Sequence, residues 1–276
     1  MEKLRKYFGE YEMTWLKVII FAVITAVVTA VLNLIPALSD TSFQDIAVTF
    51  DCWFLFAIFI IVNCDKWWEA SLKTFVFFLI SQPLIYLIEV PFNSMGWDLF
   101  GYYGYWFKIT LLTLPGAAIA FLVKKKNWLS VAVLSVATGY LAYAAVTYFY
   151  TTVANFPRHL LSCIFCLALA MFFVFVLLDE KKHRIAALAI ILAILAASAV
   201  MTKPVRHQEI NLAEGEWSCT VDKESVATVD MTDGDSATVN AVDDGGTLIT
   251  FENADGEIAE YYASVTGGRL YVSPVG

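Results

Sequence analysis

Hydrophobic and polar positions follow two different rhythms along this chain, and the rhythm changes near Arg206. Before it, long apolar stretches are joined by short polar connections. After it, short runs of alternating apolar and polar residues are separated by Asp, Asn and Gly. A spanning helix needs about 20 mostly apolar residues to cross a hydrocarbon core of about 30 Å. Seven stretches qualify: Trp15 to Pro36, Ile46 to Asn63, Leu72 to Val90, Phe107 to Val123, Trp128 to Tyr148, Leu160 to Leu178 and Ile185 to Met201. Each is predicted to be helical, because an isolated strand in lipid leaves its backbone groups without partners. From Glu209 the period of two predicts seven strands: Glu209 to Leu212, Glu216 to Val221, Ser225 to Val229, Ser236 to Ala241, Thr247 to Glu252, Glu257 to Val265 and Arg269 to Ser273. The turns Asp233-Gly234, Asp243-Asp244-Gly245-Gly246, Asp255-Gly256 and Gly267-Gly268 use residues that accept positive φ or bond their own backbone. Short strands at this spacing predict a β-sandwich. The expected organisation is a seven-helix transmembrane domain over residues 1–206 and an all-β domain over 207–276.

Composition strengthens the membrane reading: with 59% hydrophobic and 16% charged residues, water cannot be the main solvent of this chain. Lys and Arg then set an orientation. Twelve fall on one side of the seven spans (Lys3, Arg5, Lys6, Lys17, Lys66, Lys73, Lys124 to Lys126, Lys181, Lys182 and Arg184) and four on the other (Lys108, Arg158, Lys203 and Arg206). Basic loops stay in the cytoplasm, so the N-terminus is expected inside and the β domain outside. A cleaved signal peptide is not expected, since the first apolar run exceeds the roughly 7–15-residue core of a signal sequence. The net charge of −8 is unevenly divided. Residues 208–276 hold fourteen carboxylates against Lys223 and Arg269, so this segment repels nucleic acid and other polyanions and attracts cations or basic surfaces. A soluble β surface is the plainer role of that charge.

Five cysteines make no disulfide framework, because Cys219 is alone in the outer domain and Cys52 and Cys64 lie at opposite ends of one span. Cys163 and Cys166 form a C-x-x-C inside the sixth span, where they are expected to act as small apolar fillers with no His, Asp or Glu near them in depth.

The segment Glu216-Trp-Ser-Cys-Thr-Val-Asp-Lys-Glu-Ser-Val-Ala-Thr-Val-Asp230, followed by Ala237-Thr238-Val239-Asn240-Ala241-Val242 and Gly246-Thr247-Leu248-Ile249-Thr250-Phe251, resembles bacterial Ig-like domains of group 2. The resemblance covers about a quarter of the chain. It implies an Ig-like sandwich, an extracytoplasmic setting and a role as a stalk, spacer or adhesive module. The glycine usual before the Val-x-Ala strand is not cleanly present, and an extra hairpin follows the last matched strand. The acidic run from Asp230 to Asp235 invites a calcium reading, but its spacing is not that of an EF-hand loop, and no metal or other cofactor is expected.

In the membrane domain, ionisable residues are the first functional suspects because they are costly there. Asp51 near the outer end of the second span, Glu89 at the outer end of the third, Arg158 and His159 at the start of the sixth, and Lys108 share one level. They are expected either to line an outward-facing pocket for an extracellular ligand or to pair with one another. The loop from Phe92 to Phe107 adds Trp97, Tyr102, Tyr103 and Tyr105, as an interfacial aromatic belt or as a lid over that pocket. Gln82-Pro83 and Pro115-Gly116 are expected to kink the third and fourth spans. Ala22, Ala26 and Ala30 in the first span, and Ala189, Ala193 and Ala197 in the seventh, form small-residue stripes suited to close helix contact, within the chain or with another membrane subunit. The first stripe also resembles the docking stripe of vitamin-uptake S-components, although a seventh span and a β tail depart from that pattern.

No Walker sequence, nucleophile elbow, dinucleotide fingerprint or metal-binding His pair is present, and His159, His183 and His207 do not converge. The chain is therefore expected to be a non-enzymatic, multi-pass protein of a bacterial cell membrane, of Gram-positive type, that presents an acidic Ig-like domain for binding, spacing or sensing. The alternative is a solute-binding subunit of a membrane transporter.

Overall fold

A computed structural model describes residues 6, 8–39, 41–154, 156–213, 215–233, 235–266 and 268–275. Lys3, Arg5, Gly234 and Gly267 lie outside the described residues, as does the side chain of Asp233 in the acidic run. Among the described residues, eight α-helices of seven or more residues come first: α1 (Trp15–Leu34), α2 (Ser42–Val48), α3 (Phe50–Val62), α4 (Trp67–Glu89), α5 (Tyr103–Ala120), α6 (Trp128–Ala154), α7 (Leu160–Leu177) and α8 (Lys181–Met201). Seven strands follow: β1 (His207–Asn211), β2 (Trp217–Val221), β3 (Ala227–Asp233), β4 (Ser236–Ala241), β5 (Gly245–Asn253), β6 (Ile258–Thr266) and β7 (Arg269–Pro274). The chain forms two compact units, residues 1–146 with 158–197, and residues 147–157 with 198–276.

Among the described residues, six helices are long and apolar enough to cross a membrane, or seven if the bent pair α2 and α3 forms one span. This is a multi-pass membrane protein. Helix α1 shows how its apolar residues are sorted. Ala22, Ala26 and Ala30 are fully buried, while Leu16, Ile20, Ile24 and Val28 on the other face are exposed. Small side chains let backbones approach, and α1 packs closely on α4. The first alanine stripe is thus consumed inside the chain. Ala189, Ala193 and Ala197 of α8 are exposed.

The apolar run Ile46 to Asn63, read from sequence as one span, is divided at Thr49, and its halves meet at 43°. Thr49 is extended (φ −83°, ψ 169°). Its hydroxyl lies 2.6 Å from the Asp45 carbonyl and 2.7 Å from Asp51 Oδ2, and it donates to one of them at a time. Asp51 occupies the first turn of α3, where the helix dipole favours a carboxylate. Pro83 lies inside α4 and Pro115 inside α5, and neither ends its helix.

The strands form two antiparallel sheets, ordered β1-β4-β3 and β2-β5-β6-β7. Alternation buries Thr247, Ile249 and Phe251 of β5, and Ile249 and Phe251 share one core with Ala227, Ala237 and Val239 of the other sheet. Two turns carry out the predicted chemistry. Asn253 Oδ1 accepts from the Asp255 and Glu257 amides at 3.0 and 2.8 Å, with Gly256 at φ 81° between them. Gly268, at φ 73°, donates its amide to Asp244 Oδ1 at 3.1 Å. The strand order shares the β2–β5 and β6–β7 pairings with a constant-type Ig sandwich. It also sets β5 beside β6 and β3 beside β4, pairs that the Ig arrangement splits between sheets.

Candidate functional site

Two partly buried hydrogen-bond networks occupy the helix ends where the polar suspects were expected. In the first, His159 at the N-cap of α7 sets its Nδ1 2.7 Å from Asp45 Oδ2 of α2. Ser162 Oγ, nearly one turn further along α7, donates to the same carboxylate oxygen at 2.6 Å. Ser42 completes the joint: its amide and hydroxyl donate to the Arg158 carbonyl at 2.8 and 2.9 Å, and its hydroxyl accepts from the Ser162 amide at 3.1 Å. These bonds satisfy groups that open both helices and so fasten α2 to α7.

In the second network Asn33, near the end of α1, donates to Glu89 Oε1 at 2.9 Å and accepts from Gln44 Nε2 at 2.8 Å. Glu89 is buried. The network joins α1, α2 and α4. Asp51 is completely buried and bonded at Thr49, as described above. Cys166 of α7 also lies within hydrogen-bonding reach of it. The expectation that no acidic group neighbours the C-x-x-C is therefore overturned: α3 brings Asp51 to the depth of Cys166, a proximity set by tertiary packing alone.

The nine suspected residues differ in burial. Asp51, Glu89 and His159 are buried, whereas Lys108 and Arg158 are exposed. Trp97, Tyr102 and Tyr105 are 69%, 58% and 61% exposed. That exposure suits rings in a headgroup layer rather than a lid folded over a ligand. Tyr103 is half-buried and contacts the rings of Tyr86, Phe100 and Phe107. The central participants Asp45, Asn33, Gln44, Ser42 and Ser162 were not singled out from sequence.

The Asp45–His159–Ser162 group has the residue types of a nucleophilic triad but not the order. A serine nucleophile must be bonded to the imidazole that takes its proton, and here the hydroxyl is bonded to the carboxylate. Among the described residues, no group of three or more His, Cys, Asp or Glu side chains could hold a metal ion. In the β domain, Asp230 accepts from Asn240 Nδ2 at 2.8 Å, and burial raises the pKa of Cys219, a free thiol on β2.

The other end of the bundle gathers basic residues. Lys73 bonds Glu69 and the Met13 carbonyl. Lys124 Nζ donates to the Cys64 carbonyl at 2.5 Å, and Lys126 Nζ lies 3.0 Å from Asp179 Oδ2. Arg184 donates to the Leu178 and Phe175 carbonyls at 2.7 and 3.2 Å, covering the C-terminus of α7. No protein-family model, no curated protein and no solved structure matches this chain.

Proposed function

We propose that this protein is a seven-span anchor in a bacterial cell membrane that presents an acidic, Ig-like β domain outside the cell, where that domain binds, spaces or senses a partner without enzymatic chemistry. One observation carries the proposal: at one end of the bundle Asp45 bonds His159 and Ser162, and Asn33 bonds Glu89 and Gln44, each across helices. A bundle organised around a polar solute would aim such groups into a cavity. The seven-span count takes α2 and α3 as one bent crossing. The orientation, with the N-terminus cytoplasmic, rests on the excess of Lys and Arg in alternate connections. The Ig-like reading of the domain rests on the segment order around Trp217 and on two sheets sharing a core. Of its strand pairings, β2–β5 and β6–β7 occur in the constant-type plan of that family, whereas β3–β4 and β5–β6 do not.

A solute-binding transporter subunit is the second reading. Its support is the complete burial of the Asp51 carboxylate in a membrane helix, which marks functional positions more often than inert ones. One measurement tests the orientation and a second separates the two readings. Membrane-impermeant maleimide on intact cells should label Asp255→Cys, and should label Lys125→Cys only after permeabilisation; the reverse pattern refutes the orientation. A thermal-shift screen of polar metabolites on the detergent-purified chain should yield no stabilising compound. A hit abolished by Asp51→Ala would replace the anchor reading with the second one.

A further inference from the structure

Two cavities share Val123 in their linings, and they differ in chemistry. The first, about 720 Å³, lies at the basic end of the bundle. Lys6, Lys124 and Lys126 line it, with Glu10 as an opposing charge and Val62 and Leu177 among its apolar walls. The second, about 610 Å³, is a cleft between α3, α5 and α6 whose lining, apart from Thr113, is apolar, including Trp53, Phe78, Gly116 and Ala120. Val123 belongs to both walls. A single occupant that passes Val123 to fill both needs an anionic group at one end and hydrocarbon at the other.

We propose that the paired cavities bind an anionic glycerophospholipid, with its phosphate at Lys124 and Lys126 and an acyl chain in the cleft beside Trp53. Charge complementarity favours this occupant. Lys124 spends a donor on a carbonyl, which leaves its charge intact, and Lys126 shares its charge with Asp179. Counting Glu10 and Asp179 against the three lysines, the site keeps an excess of positive charge. Basic pockets between membrane helices hold anionic headgroups for this reason. Apolar continuity supplies the rest: Gly116 and Ala120 leave the α5 side of the cleft without bulk, where a chain from the surrounding bilayer enters at no desolvation penalty. A zwitterionic lipid fits the cleft equally well but gains little at the lysines.

The test uses the full chain in phosphatidylcholine nanodiscs doped with phosphatidylglycerol or phosphatidylcholine brominated on the acyl chain, reading the quenching of Trp53 as the difference between wild type and Trp53→Phe. The brominated phosphatidylglycerol should quench at lower mole fraction than the brominated phosphatidylcholine. Lys124→Gln/Lys126→Gln should weaken its apparent affinity by about fivefold per lysine and leave the phosphatidylcholine curve unchanged. Ala120→Phe, which fills the cleft and keeps the lysines, should abolish quenching by both lipids. Coincident curves for the two lipids in wild type, or a lysine variant with unchanged preference, would overturn the proposal. So would competition by millimolar inorganic phosphate strong enough to erase the preference, because the site would then take a free anion.

Discussion

Replacing Asp45 by Ala removes the acceptor shared by His159 and Ser162, and its cost separates a structural joint from a ligand site. The two bonds are 2.7 and 2.6 Å long, and the His159 and Asp45 side chains are 6% and 16% exposed, so water cannot readily replace the lost carboxylate. A hydrogen bond to a charged group contributes about 1.5–3 kcal/mol. Losing two of them, with both donors left buried, amounts to about 3–5 kcal/mol, the range for truncating one member of a buried pair. At about 2–4 °C per kcal/mol for a domain of this size, the unfolding midpoint should fall by on the order of 10 °C. The midpoint can be followed in detergent with a fluorogenic maleimide, because Cys64 and Cys166 are 1% and 0% exposed and react when the helices part. Ser162→Ala should produce a smaller drop, since Asp45 keeps His159. His159→Ala combined with Asp45→Ala should cost less than the sum of the single changes, because each single change already breaks the shared bond. A midpoint for Asp45→Ala within about 1 °C of wild type, or strict additivity in the pair, would refute the joint.

Three further outcomes are expected. Phe251→Ala empties a fully buried position in the β core and should destabilise that region by about 3–5 kcal/mol, seen as new tryptic cleavage at Lys223 and Arg269; an unchanged digest would count against the shared core. Burial raises the Cys219 pKa in the folded state, so its contribution to stability is complete below the unfolded value of about 8.5 and declines as pH rises beyond it. Iodoacetamide should accordingly modify Cys219 more slowly than a free thiol at pH 8.5, and equal rates would contradict the assignment. Ala26→Leu should destabilise the helical unit by about 1–3 kcal/mol through overpacking at the α1 contact, while Ala193→Leu on the exposed face of α8 should be near neutral; equal thermal shifts would contradict the different roles of the two stripes.

Some of this architecture is legible in the sequence because its causes are local. Hydrocarbon thickness sets the length of apolar runs, so Trp15 to Pro36 and Leu160 to Leu178 fall within a few residues of α1 and α7. The period of two and the Asp-Gly turns locate all seven strands, Ser236 to Ala241 to the residue. The networks are not legible in that way. Asp45 and His159 are 114 positions apart, and Asn33 and Glu89 are 56 apart. Nothing in their neighbourhoods distinguishes a loop carboxylate from the centre of a joint. Asp45 also falls one residue before the apolar run Ile46 to Asn63, so hydropathy assigns it to a connection. The break at Thr49 escapes the same reading because flanking residues on both sides are apolar, and the signal lies in one hydroxyl. Strand pairing likewise depends on which hairpins close, and similar alternating segments serve more than one order.

The break at Thr49 has a mechanical consequence. Helix α2 is fastened to α7 through Ser42 and Asp45, whereas α3 packs on α4, with Trp53 against Phe77 and Phe78. One extended residue stands between these two attachments. Because Gln44 of α2 also reaches Glu89 of α4 through Asn33, α2 is tied to both α7 and α4. Any displacement of α7 relative to α4 is therefore shared between that network and the torsion angles of Thr49, with the Asp51 carboxylate two residues from the break.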